Sequence, residues 1–418
     1  DANSIQIRAA DNDRRGRLLV GDGVTLDEAI TIQHGFTGSI TGTGTGGVLS
    51  GQITLNNSAD FRGVGGNSGI TYEGGITTGP SGTESFGLSL NQKAIINSNL
   101  IDLNDGTLTL TSNGNNIANA TEINVSGNDW GFARINFGGY LKLGVDNAMP
   151  IDAGVEFGWN SDGASSGTLD LNGTDQTVAF LRQTTFFSTV NGNQNITNSG
   201  NTDSTLTINT AAGSYDYHGR ITDGATNSMS IVKNGAGTQI FDNNSGTASD
   251  YTGTTTINAG TLALVSNTSN NNIASSSLIT VDAGASLDVT GITAAGGFEI
   301  VSGQTLAGEG NVSGNTTINS GGFLSAGDGG IGTLTFSSIV DVSSAGANSM
   351  LFDLASPGFS DLVSMSSSEL DIGSGSFDLD TFTFTDLSGP GSRIGVGTYT
   401  LFDANSLALG NSLGSTVF

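Results

Sequence analysis

The sequence predicts an all-β fold, a β-solenoid of the parallel β-helix type. Three observations predict it: short segments that alternate apolar and small polar residues, turn residues at the ends of nearly every segment, and wording that recurs along the chain. The alternation is seen at Ile53-Thr54-Leu55, Thr107-Leu108-Thr109-Leu110, Leu169-Asp170-Leu171, Leu206-Thr207-Ile208, Leu262-Ala263-Leu264, Leu287-Asp288-Val289 and Leu334-Thr335-Phe336. A strand sends successive side chains to opposite faces, so period two marks strands with one buried face. Gly, Asn, Asp and Ser supply the turns, and glycine alone is 65 of the 418 residues. No segment reads as a helix; residues 25–33 come closest.

The recurring wording sets the architecture. Gly-Thr-Leu occurs at Gly106, Gly167, Gly260 and Gly332, and Thr-Ile-Asn at Thr207, Thr256 and Thr317. Residues 255–262 return almost verbatim at 316–324. Degenerate strand–turn units of this kind mark a solenoid, in which no coil buries its apolar face alone. Sandwich domains would need strands of differing character and linkers between domains. The expected molecule is a single elongated rod, roughly 80–100 Å long at about 4.8 Å per coil. Asn and Thr ladders along the stack are expected to satisfy the polar groups of the turns. Residues 1–35 read as a charged N-terminal cap and 36–418 as a continuous β-helix of degenerate repeats, strongest over 130–340.

Composition excludes several functions. Lys plus Arg is 12 against 38 Asp plus Glu, a net charge of −26. Such a chain repels nucleic acid and anionic membranes. No apolar run approaches the roughly 20 residues of a membrane helix, so no membrane insertion by this segment is expected. Cysteine is absent, as suits export through oxidising compartments. With no Cys and two isolated histidines, His34 and His218, neither a zinc site nor a cofactor is expected.

Residues 205–264 carry a family likeness. They contain Tyr217-His218-Gly219-Arg220-Ile221, then Lys233-Asn234-Gly235-Ala236-Gly237-Thr238, then Tyr251-Thr252-Gly253-Thr254-Thr255-Thr256-Ile257-Asn258-Ala259-Gly260-Thr261-Leu262. The stretch resembles the autotransporter-associated β-strand repeat. Residues 135–145 and 169–173 resemble the linking coils of such proteins, and 306–310 and 324–328 their later coils. The resemblance implies a right-handed parallel β-helix, exported and displayed or released outside a bacterial cell. It further implies an adhesin, a surface layer or a fibre-like scaffold.

Candidate chemistry is sparse. Parallel β-helices also host polysaccharide lyases and hydrolases, which use paired acids. Candidate pairs are Asp102 with Asp105, Asp353 with Asp361, and Asp378 with Asp380, but three lysines (Lys93, Lys142, Lys233) offer few bases. Asp11-Asn12-Asp13, Gly16 and Asp22 partly match a calcium loop, yet Arg15 occupies a ligand position and no metal is expected. Trp130 and Trp159, near Tyr140 and Phe137, are the candidate carbohydrate contacts.

The two ends differ. Residues 1–35 hold ten charges and the last 35 hold three. The apolar Leu407, Leu409, Leu413 and Val417 therefore read as an uncapped coil that either continues into further sequence or docks on another subunit. The expected function is a non-catalytic structural or adhesive surface protein. The alternatives are a self-assembling fibre or surface-layer subunit with head-to-tail contacts, and a β-helical polysaccharide-degrading enzyme. Partners would be further copies of the chain and cell-surface or matrix polysaccharide.

Overall fold

The computed structural model describes residues 4–7, 17–33, 36–42, 46–62, 69–79, 84–89, 93–111, 117–158, 166–183, 194–242, 249–267, 272–373, 379–389 and 394–408. The chain forms two compact units, one from residues 1–209 with 217–229, the other from 210–216 with 230–418. Each is a parallel β-solenoid. Among the described residues the only helical turns are 3-10 turns at Ile117–Asn119 and Leu379–Thr381. The segment closest to a helix in the sequence is two strands, Thr25–Leu26 and Ala29–Ile32.

In the first unit the chain winds through three sheets in turn. One stacks Ser4–Ile7, Ala29–Ile32, Ile53–Leu55, Ile76–Thr78 and Ile101–Asp102. A second runs from Arg17–Val20 to Phe132–Asn136, Gly154–Phe157 and Leu181–Gln183. The third runs from Thr25–Leu26 to Arg220–Ile221. Every pairing is parallel, and the step from one coil to the next is uneven: 20 residues from Thr121 to Leu141, 28 from Leu141 to Leu169.

The stack buries columns of like residues. Ile30, Ile53, Ile76 and Ile101 lie in register, as do Leu49, Tyr72, Ile96, Ile123 and Leu143, and all of them are buried. Burying each such side chain contributes about 1.5–3 kcal/mol. The expected ladders are present at coil corners: Asn124 Nδ2 donates to Asn97 Oδ1 at 2.9 Å. A tight corner at Phe137 (φ 47°) and Gly138 (φ 81°) joins Phe132–Asn136 to Gly139–Leu143. Both residues adopt the left-handed conformation, which is uncommon for a residue as bulky as phenylalanine.

The second unit repeats this plan. One face stacks Met229–Asn234 (from Ser230 on), Thr255–Ile257, Leu278–Val281, Thr305–Gly308, Phe323–Ala326 and Met350–Ser356. A second stacks Thr238–Asp242, Thr261–Ser266, Ser286–Ile292, Asn311–Ser313, Thr333–Phe336 and the start of Leu362–Asp371. A third stacks Phe298–Ile300, Thr316–Ile318, Val340–Asp341 and the end of Leu362–Asp371. The near-verbatim phrase therefore starts on different faces: Thr255–Ile257 lies on the first, Thr316–Ile318 on the third. Asn258 Nδ2 donates to Asn234 Oδ1 at 2.9 Å, the ladder of the Thr-Ile-Asn phrase. An antiparallel hairpin interrupts the winding where Met350–Ser356 pairs Phe359–Ser360.

Candidate functional site

The outer surface of the first unit carries a charged and aromatic stripe. On Phe132–Asn136, Ala133 and Ile135 point into the core while Phe132 and Arg134 are half-buried on the outside. One coil on, Val155 and Phe157 point inward and Gly154 and Glu156 share the outer row. One coil further, Leu181 is buried between Phe180 and Arg182. Parallel register stacks Arg134 on Glu156 on Arg182. Arg134 Nε donates to Glu156 Oε1 at 2.5 Å, and Arg182 donates to Oε2 from Nε at 2.8 Å and Nη2 at 2.7 Å.

The rings complete the stripe. The Arg134 guanidinium lies 5.1 Å from the Phe132 ring centre, and that of Arg182 lies 5.4 Å from Phe132 and 5.2 Å from Phe180. A side chain at position 154 would overlap the Phe180 ring, so glycine is what lets that ring lie down on the preceding coil. The Glu156 side chain is 6% exposed and that of Arg182 35%. A buried carboxylate needs its charge matched, and here two guanidiniums share one. The sequence carries the stripe's signal as Phe132-Ala133-Arg134 and Phe180-Leu181-Arg182, the same phrase on two coils flanking Gly154-Val155-Glu156.

On another face of the same unit, Glu122 accepts from Lys142 Nζ at 3.0 Å and lies 3.5 Å from Lys93 Nζ. These lysines lower the Glu122 carboxyl against the opposing effect of burial, the largest single influence on it. Two of the three lysines are thereby committed to ion pairs.

The candidate carbohydrate contacts fare differently. Trp130 is 1% exposed and presents no face to a ligand, correcting its reading as an exposed platform. Exposed Asp129 forms the outward parallel bridge with Asp102, so alternation turns the next residue, Trp130, inward. Tyr140 is buried, its hydroxyl donating to Asp170 Oδ2 at 2.9 Å. Phe137 is exposed at its corner, and Trp159 lies outside the described residues.

Of the acid pairs, Asp102 and Asp105 meet Asp129 and Asp152. Burial first, then these three neighbours, raises the Asp129 carboxyl. Asp353 and Asp361 also come together, in the second unit. Asp361 Oδ1 accepts the Gly332 amide at 2.8 Å and Oδ2 the Asp353 amide at 2.7 Å. Burial pushes this carboxyl up to about 6, and the charges of Asp353 and Glu309 act in the same direction. With both oxygens held by backbone amides, Asp361 braces the hairpin against the glycine-rich turn. Asp380 sits in the turn Leu379–Thr381, whereas Asp378 lies outside the described residues.

His34, Asp11, Asn12, Asp13 and Gly16 also lie outside the described residues, and Asp22 sits in a turn. His218 is half-buried. Leu407 is 44% exposed on Phe402–Ala408, while Leu409, Leu413 and Val417 are outside the described residues.

Residues 231–264 match the family model of the passenger-associated-transport-repeat. The chain carries a passenger-associated transport repeat. Its match runs from inside Met229–Asn234 to inside Thr261–Ser266, a little over one coil of the second unit. No curated protein and no solved structure matches the chain. Within the transport repeat, Lys233 is wholly buried, and its Nζ donates to the carbonyls of Asn234 at 2.8 Å, Gly235 at 2.9 Å and Ala259 at 3.2 Å. Ala259 belongs to the next coil, so this lysine stitches two coils of the repeat at their corner. Burial lowers its ammonium to about 8.

Proposed function

We propose that the chain is passenger material of an autotransporter-type protein: a β-solenoid scaffold displayed on or released from a bacterial cell, with a structural or adhesive role and no catalytic one. The observation that carries the reading is the transport repeat at 231–264 set within parallel β-solenoid coils. The net charge of −26 and the lack of cysteine suit a hydrated, exported surface. The commitment of both Asp361 oxygens to backbone amides supports a bracing role for the Asp353 and Asp361 pair. The test is protease shaving of intact cells that express the native gene, with the chain followed by antibody in cells and medium. Loss of the cell-bound signal, or recovery from the medium, is the expected result; a signal protected inside intact cells would overturn the reading.

A second reading, end-to-end assembly, is favoured by Phe384 and Leu407. Both are exposed, on strands that each pair with one neighbour among the described residues. Electron microscopy of the purified chain across a concentration series decides it: filaments that lengthen with concentration support assembly, and single particles throughout exclude it.

A further inference from the structure

We propose that the Asn234-Gly235 pair of the transport repeat is a self-modifying site: the folded chain closes Asn234 to a succinimide, assisted by Lys233 and Asn258, and water opens the ring to aspartate or isoaspartate. The inference goes beyond the scaffold reading and does not depend on export.

An asparagine followed by glycine cyclises when the glycine nitrogen attacks the side-chain carbonyl carbon. The reaction needs a free amide N–H, a stabilised amide anion, and a stabilised oxyanion at Oδ1. The corner that follows Met229–Asn234 supplies all three. Among the described residues the Gly235 amide makes no hydrogen bond. Its proton leaves a peptide unit whose oxygen is the Asn234 carbonyl, and the buried Lys233 Nζ donates to that oxygen at 2.8 Å. An ammonium aimed where negative charge develops, in a site shielded from water, acts far more strongly than in solution. At the side-chain carbonyl, Asn258 Nδ2 from the next coil donates to Asn234 Oδ1 at 2.9 Å, the role of an oxyanion-hole donor. Asn234 is half-buried and Asn258 exposed, so water reaches the pair. The fold itself demands the glycine: φ is 74° at Gly235, and a side chain there would overlap the Thr210 carbonyl.

The same pair at Asn172-Gly173 is built the other way. The Gly173 amide donates to Asn198 Oδ1 at 2.7 Å, and Asn172 Nδ2 donates to the Leu143 carbonyl at 3.1 Å. Its nucleophile is engaged and its side chain is pinned, so it serves as an internal control. Asn113-Gly114 and Asn191-Gly192 lie outside the described residues.

The chemistry balances with water alone. Water or hydroxide takes the Gly235 amide proton, and the nitrogen bonds to Asn234 Cγ. Oδ1 holds the negative charge until the intermediate collapses, when Nδ2 takes a proton from water and leaves as ammonia. Water then adds to one of the two ring carbonyls, giving aspartate or isoaspartate. The net change is one water in and one ammonia out, with nothing oxidised or reduced. It happens once per chain and marks the age of the folded repeat.

The test incubates the purified full chain folded and, separately, unfolded in urea, and follows both asparagines by peptide mass spectrometry. Asn234 is expected to convert faster in the folded chain than in urea, and Asn172 the reverse. Asn258→Ala, at an exposed position, should slow the folded reaction about tenfold, equivalent to about 1.4 kcal/mol of transition-state stabilisation. Lys233→Met separates catalysis from bracing: a corner that is merely loosened would convert faster, whereas loss of the ammonium should slow it. Conversion at Asn234 no faster folded than unfolded, or a rate unchanged or raised in either variant, overturns the proposal.

Discussion

Asp361 and Gly332 are 29 residues apart, yet the carboxylate of one accepts the amide of the other at 2.8 Å. The same side chain accepts the Asp353 amide, so one buried acid ties a hairpin to a glycine turn. Its pKa of about 6 in the folded chain lies above the roughly 3.9 of a free aspartate. Between those values the folded state binds the proton more tightly. This group's contribution to stability is therefore full below about pH 4 and is lost as pH rises through 6. The measurement is the difference in thermal midpoint between wild type and Asp361→Asn from pH 4 to 7. A changing difference across this window is expected, and a constant one would refute the assignment.

Lys233 titrates in the opposite sense. Its folded value of about 8 lies below the roughly 10.4 of a free lysine. The unfolded chain then holds more protons between these values, so the lysine's contribution rises as pH climbs from 8 to 10. Lys233→Met leaves the carbonyls of Asn234, Gly235 and Ala259 without their donor and should cost about 1–3 kcal/mol at pH 7. Urea denaturation should show the gap to wild type widening toward pH 10; a gap that narrows would contradict the buried ammonium.

Trp130 should report the core. In a Trp159→Phe background its emission is expected to be blue-shifted and resistant to iodide quenching, as befits a 1% exposed indole. Trp130→Ala should cost about 3–5 kcal/mol through the cavity it leaves. Red-shifted, readily quenched emission would return Trp130 to the surface.

Glu156→Ala leaves two guanidiniums, on the rungs either side of position 156, with no carboxylate between them. A loss of about 1–3 kcal/mol is expected, largest at low salt and partly recovered at high salt as the repulsion is screened. A loss independent of salt would mean that packing, not charge, holds the stripe together.

Local chemistry was enough to read the strands. Thr107–Thr111, Ser204–Asn209 and Thr333–Phe336 begin, end and alternate much as their residues dictate, whereas Gly167–Asp170 is a strand with every residue buried. The asparagine ladder at Asn234 and Asn258 and the transport repeat around it were legible for the same reason, since both are written in contiguous phrases. The stripe was legible only in fragments: two Phe-x-Arg phrases and a Gly-x-Glu, with nothing local to say that they stack.

What the sequence by itself determined is the class of the fold: period-two segments and turn residues at every break leave parallel coils as the way to bury one apolar face per strand. What only the tertiary structure decided is which residue lies above which. Coil steps vary from 20 to 28 residues between Thr121 and Leu169. Register is set by the path of each corner, and corners are not periodic. That is why Arg134 meets Glu156, why Trp130 turns inward, why Asp361 reaches Gly332, and why one repeated phrase lies on two different faces.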